Sequence, residues 1–154
     1  MTEPTTDSLI AALAAIPEQL EALRQQRTGG EVAAAGPDTW TPSEIVGHLC
    51  DAARYWGARI RRVAREDDPA LESFDENLLV RLAAHSYWPL DTLLREFRLL
   101  SDDNVALLRG LPPAAWERAG VHETRGRLTL REVVTIEAAH EQAHVGQFAE
   151  ALGE

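Results

Sequence analysis

The chain predicts an all-α fold, an antiparallel four-helix bundle, in one domain over residues 1–154. Three observations predict it. Four long stretches carry apolar residues at steps of three and four, the period of a single helix face. Two of these stretches open on the same N-terminal device, Thr41-Pro42-Ser43-Glu44 and Thr129-Leu130-Arg131-Glu132, in which a threonine cap and a glutamate three residues on satisfy each other's free backbone donors. Strand-like alternation is almost absent. At about 150 residues roughly 68–70 % of the unfolded surface is buried on folding, enough for one independent core.

The first helix is expected over residues 6–27, with Leu9, Leu13, Ile16, Leu20 and Leu23 as its stripe, Pro17 as a kink point and Gly29-Gly30 as its end. The turn-rich run from Gly29 to Trp40 connects it to the second helix, residues 42–65. That helix starts strongly, with proline at its first position, and its stripe is Ile45, Leu49, Ala52, Trp56, Ile60 and Val63. Residues 70–88 are ambiguous between a short helix around Leu78, Leu79 and Leu82 and an arm of the next element. Pro89 pushes Trp88 out of the helical region and opens the third helix, residues 89–109, whose stripe includes Leu90, Leu93, Leu94, Phe97 and Leu108. A loop with Trp116, His122 and Gly126 leads to the last helix, residues 129–152, on which Val133, Glu137, His140, His144 and Phe148 share a face.

Composition narrows the partners. The net charge is −10, from 25 acidic residues against 15 basic ones, and every basic residue is arginine. Such a surface does not suit phosphate neutralisation, so no nucleic acid is expected as a partner. No stretch reaches the roughly 20 apolar residues of a membrane span, and MTEPTTDSLI lacks the layout of a signal peptide, so no membrane partner is expected and a cytoplasmic location is. Cys50 is the single cysteine, which rules out an intramolecular disulfide and favours a small buried thiol.

The histidines carry the chemistry. His140 and His144, in the run HEQAH, lie one turn apart on the inward face of the last helix. Each imidazole buried there must find a partner or bear about 1–3 kcal/mol of desolvation, and a shared metal ion satisfies both. For the third ligand the candidates are His48, set inside the bundle by a well-capped helix, His122 and His85. Three imidazoles suit one divalent ion, zinc first, with a fourth position open to water or substrate; nickel, iron and manganese share this ligand preference. HEQAH also matches the zincin protease pattern, but that pattern needs a third ligand downstream and no histidine follows His144. Glu137 precedes His140 by three residues, as in di-iron bundles, yet no second such element occurs. It reads instead as a carboxylate that orients an imidazole or as a structural one.

The runs Trp40-x-Pro42-x-Glu44-Ile-Val-Gly-His48-Leu, Trp116-Glu-Arg-x-Gly120-x-His122 with Thr129-Leu130, and Ala139-His140-Glu141-Gln142-Ala143-His144-Val145-Gly146-Gln147 together resemble the DinB/YfiT-like superfamily over nearly the whole chain. The resemblance implies a four-helix bundle with one divalent metal held by His48, His140 and His144. Glu141 stands where relatives often carry aspartate. It further implies a thiol S-transferase, in which the metal activates a low-molecular-weight thiol of the bacillithiol, mycothiol or glutathione type for attack on a small-molecule electrophile. Arg54 and Arg125 would hold carboxylates of that thiol. The alternatives are a metal-dependent hydrolase, with Glu141 or Glu137 as proton acceptor, and a non-enzymatic metal-binding stress-response protein. A second copy of the chain, giving a homodimer, is a further candidate partner.

Overall fold

The computed structural model describes residues 2–27 and 39–153, so of the Gly29–Trp40 connection only Thr39 and Trp40 are described. In chain order the elements are α1 (Thr6–Gln26), α2 (Pro42–Arg65), β1 (Ala70–Leu71), α3 (Glu76–Ala83), α4 (Leu90–Gly110), β2 (Ala119–His122), β3 (Gly126–Thr129) and α5 (Leu130–Ala151). The four long helices lie within one residue of the limits expected from sequence. Both capping boxes form. Thr41 Oγ1 accepts from Glu44 N at 3.2 Å and Thr129 Oγ1 from Glu132 N at 3.2 Å, while each glutamate accepts in return from its threonine N–H at 3.0 and 2.8 Å. α1 runs on through Pro17, which is buried.

α1 and α2 each pack against both α4 and α5, giving a four-helix bundle in which α1 and α2 stand at opposite corners. Burial follows the apolar stripes and divides the core into two clusters. One gathers Leu13, Trp56, Ile60, Leu108, Leu130 and Val134; the other gathers Leu20, Ile45, Leu49, Phe97, Val145 and Phe148. On α5 the residues between the two, Glu137 to His144, are where the polar groups lie. At about 25 cal/mol per Å² of apolar surface removed from water, the clusters provide the main stabilisation of the bundle.

Two features depart from the sequence-based expectation. The ambiguous stretch contains α3, an eight-residue helix capped by Asp75, whose carboxylate accepts from Leu78 N at 3.0 Å. The loop expected around His122 and Gly126 is instead a hairpin: β2 pairs antiparallel with β3, and β1 adds to β2 in parallel. Four-residue strands with polar faces carry no visible alternation, and Gly126, at φ 76°, supplies the turn conformation that a side chain disfavours. Cys50 is fully buried, and its thiol donates to Leu93 O at 3.5 Å. Burial raises its pKa far above the ordinary thiol range, so it is an inert packing residue.

His85, from the turn before α4, packs its ring against Gly47 and bonds through Nε2 to Asp51 Oδ2 at 2.8 Å. A Cβ on Gly47 would lie 2.1 Å from His85 Cγ. Gly47→Ala should therefore lower the melting temperature, because overpacking of about 1–3 kcal/mol exceeds the roughly 1 kcal/mol that alanine adds in helix propensity. Placed on a His85→Ala background, the same change should cost nothing further in a thermal melt; an equal loss in both backgrounds would mean that the contact does not limit residue 47.

Candidate metal centre

Three elements deliver the site. α2, started by its capping box, places His48 on its buried face, and α5 places His140 and His144 one turn apart. His140 Nε2 faces His144 Nε2 at 3.1 Å, His48 Nε2 at 3.2 Å and Glu76 Oε1, from the first turn of α3, at 3.3 Å. Glu76 Oε1 lies 3.9 Å from His48 Nε2, and one donor atom from each of the four residues falls within 4.8 Å of the others. Trp40 closes one side, stacked on His144 with ring centroids 6.0 Å apart and tilted over His48 at 5.0 Å.

Hydrogen accounting tests whether this cluster fits a metal. Gln147 Oε1 can only accept, and it stands 2.6 Å from His144 Nδ1, which puts the hydrogen on Nδ1 and leaves Nε2 with a lone pair. A hydrogen on His140 Nε2 would serve only one of its three neighbours, and His140 Nδ1 is buried without a partner. A single cation at the convergence point takes up the three Nε2 lone pairs together and leaves the hydrogen of His140 on Nδ1. Metal–nitrogen bonds of about 2.0–2.1 Å in tetrahedral or facial geometry place the nitrogens roughly 2.9–3.4 Å apart, which matches the spacings here. Protonation states agree. Burial first, then the neighbouring His144, holds His48 down to about 3, and burial lowers His144. Both are therefore neutral ligands at physiological pH. The hydrogen bond to His140 holds Glu76 below the usual carboxylate range, so it is ionised.

Beside the cluster opens a cavity of about 270 Å³, into which His140 and Glu76 face together with Arg59, His122 and Arg125. Its remaining wall is largely apolar, with Trp56, Phe74, Leu128, Val133 and Ile136 among the lining residues and Ser73 and Thr124 as its polar members.

The other residues singled out from sequence lie as follows. Glu137 and Glu141 are fully buried, line no part of this cavity, and each has an Oε2 without a hydrogen-bond partner. Burial pushes Glu141 up to about 8 and, with the charge of Glu141 beside it, raises Glu137 well above the carboxylate range. Both are protonated at neutral pH. Arg54 lies outside the cavity, paired with Asp51 at 3.4 Å and with Glu96. His122 sits in the cavity wall and His85 against Asp51, neither within the donor cluster. Two residues of the site escaped the sequence reading. Glu76 had one signal, the Asp75 cap beside it, and Arg59 had none that set it apart from the other arginines of α2.

A model of the DinB superfamily matches residues 1–148. A protein of Oceanobacillus iheyensis that bears the name "Putative metal-dependent hydrolase OB0782" is 26 % identical over 106 residues, which are 69 % of this chain and 61 % of that protein, so the match spans about three fifths of the relative's length. Among solved structures, YfiT from Bacillus subtilis, described as a probable metal-dependent hydrolase with an unusual four-helix bundle topology, superposes with a TM-score of 0.82 at 22 % identity. That superposition covers 98 % of this chain and 87 % of the other, a likeness of fold. By a match extending from the first residue through α5 to Phe148, the chain belongs to the DinB superfamily.

Proposed function

We propose that the chain is a metal-dependent hydrolase of small molecules, with one divalent ion held by Nε2 of His48, His140 and His144. The observation that carries this is the convergence of those nitrogens, at 3.1 and 3.2 Å, beside an ionised carboxylate on the wall of a cavity. The names of the two relatives point the same way. Zinc is the first candidate, for its preference for three imidazoles and an open position. Such an ion supplies Lewis acidity, polarising a carbonyl and making water acidic enough to attack near neutral pH.

The protein's own groups divide the remaining work. Gln147 fixes the tautomer of His144, and burial keeps His48 neutral, so both present lone pairs. Glu76 is the general base. It is ionised, half-buried and 3.3 Å from His140 Nε2, so its carboxylate would be placed to accept a proton beside the ion that the three nitrogens would hold. Glu137 and Glu141 are protonated and face the core, so neither takes that role. A thiol S-transferase would use the same imidazoles with a thiol as the fourth ligand, and a panel of thiols and electrophiles run beside esters and amides separates the two.

Replacing His140 and His144 together by alanine should abolish metal binding, measured as ion stoichiometry in protein purified without a chelating tag. The circular-dichroism spectrum should keep its helical signal, because the apolar clusters do not include these residues. Glu76→Gln should retain the metal and lose about 10²–10⁴-fold in hydrolytic kcat. Full activity in that variant, or turnover only with an added thiol, would refute the assignment.

Glu141 allows a test of charge state by stability. Its folded pKa, about 8, lies above its ordinary value of 4.5, so the native state binds the extra proton. Its contribution is fully present below about pH 4.5 and is lost as pH rises through 8. Glu141→Gln in metal-free protein should therefore match the parent in acid and exceed it by roughly a few kcal/mol above pH 8. Equal denaturant midpoints at every pH would show that the carboxyl is already ionised in the fold.

A further inference from the structure

Several arginines of this protein are neutralised where they lie: Arg54, Arg62, Arg98 and Arg131 each pair with a carboxylate. Arg59 differs. It is only 7 % exposed, it lines the cavity beside the metal cluster, and it forms no ion pair among the described residues. Its guanidinium donates to the carbonyl of Glu72 and lies 4.6 Å from the Tyr55 ring centroid and 5.1 Å from that of Trp56, while its Nε is buried without an acceptor. Exposed Glu123 acts on it only electrostatically and holds Ser73 N at 3.4 Å instead. Burying a cation is costly unless an anion compensates it, and cation–π contacts, one carbonyl and the Tyr55 hydroxyl compensate only in part.

Two more donors face the same space. Arg125 is exposed at the mouth. His122 Nδ1 accepts from the backbone N–H groups of Thr124 and Arg125, both at 3.2 Å, so its neutral tautomer carries the hydrogen on Nε2. Burial and the charges of Arg59 and Arg125 keep His122 in that neutral form. On α5 the wall leading to the metal cluster is apolar, formed by Val133 and Ile136. Along α5 the cavity follows two turns from Val133 through Ile136 to His140, about 10 Å at 1.5 Å per residue.

We propose that the substrate is a small amphipathic carboxylate. Its carboxylate takes the unfilled place opposite Arg59, its apolar spacer lies along Val133 and Ile136, and its hydrolysable bond reaches the cluster at His140. A guanidinium that lines a cavity and has no carboxylate of its own among the described residues suits a carboxylate ligand, whose charge and planar oxygens match its donors. This substrate class rests on the hydrolase reading for its reacting end only; the carboxylate grip is a property of the cavity and is measured without turnover.

The probes are 4-phenylbutyrate and its neutral amide, titrated by calorimetry into the metal-loaded full-length chain. The carboxylate should bind about ten- to hundredfold more tightly. Arg59→Gln should erase that difference while leaving the amide's affinity and the metal stoichiometry unchanged, and Arg125→Gln should reduce it in part. Equal binding of the two probes overturns the proposal, and this comparison needs no variant, so a misfolded Arg59→Gln protein does not weaken it. A preference that survives Arg59→Gln also overturns it, because the carboxylate would then be ligating the metal. Acetate esters with and without a remote carboxylate separate the two readings. A carboxylate preference in binding with no ester cleaved sinks the hydrolase reading alone, whereas equal cleavage of both esters sinks the substrate class alone.

Discussion

Nitrogen lone pairs held 3.1–3.2 Å apart repel one another unless a proton or a cation lies between them, and the architecture of this protein is arranged around keeping three of them there. The distance depends on α2 and α5 lying against each other at one height. That contact is fixed from both sides by the two apolar clusters, which begin where the polar residues of α5 stop. Had the clusters merged into one continuous core, α5 would have had no place for two histidines and two glutamates. The bundle thus tolerates a polar belt because the apolar burial above and below it offsets the desolvation.

Within that belt the two sides of α5 serve opposite charge states. Toward the cavity, the hydrogen bond to His140 in the metal-free fold holds Glu76 below the usual carboxylate range, and a cation at the same nitrogen would favour the same ionised form; toward the core, burial raises Glu137 and Glu141. Environments that push like groups apart in pKa are how one fold assigns a base and a bystander. By this logic a carboxylate from a short, half-exposed helix outranks the one that sits inside the HEQAH run.

The parts of the molecule legible in the sequence were those governed by local rules. Threonine caps with return glutamates gave the starts of α2 and α5, and steps of three and four gave the stripes. The four-residue step from His140 to His144 gave two of the imidazoles of the cluster. What lay hidden depended on distant partners. α3 is two turns long, too short for periodicity, so Glu76 emerges only when α3 packs on α2 and brings it to His140. Arg54 and Arg59 are five residues apart on one helix and read alike; Asp51 and Glu96 neutralise the first, and among the described residues no carboxylate forms an ion pair with the second. The hairpin of β2 and β3 carries Glu123, Thr124 and Arg125 at its turn, a composition that reads equally well as loop.

The small sheet bears on how the molecule assembles. β1 and β2 join residues 70 and 121, fifty-one apart in the chain, through two register pairs only. Closing so long a loop for so few hydrogen bonds is entropically unfavourable until the helices on either side have already docked. The β1–β2 pairing therefore depends on the docked bundle, whereas the hairpin of β2 and β3 joins residues at most ten apart and closes locally. The wall of the cavity thus has two parts of different standing, a hairpin carrying His122 and Leu128 that can form by itself and an outer strand with Leu71 that is held on by the bundle.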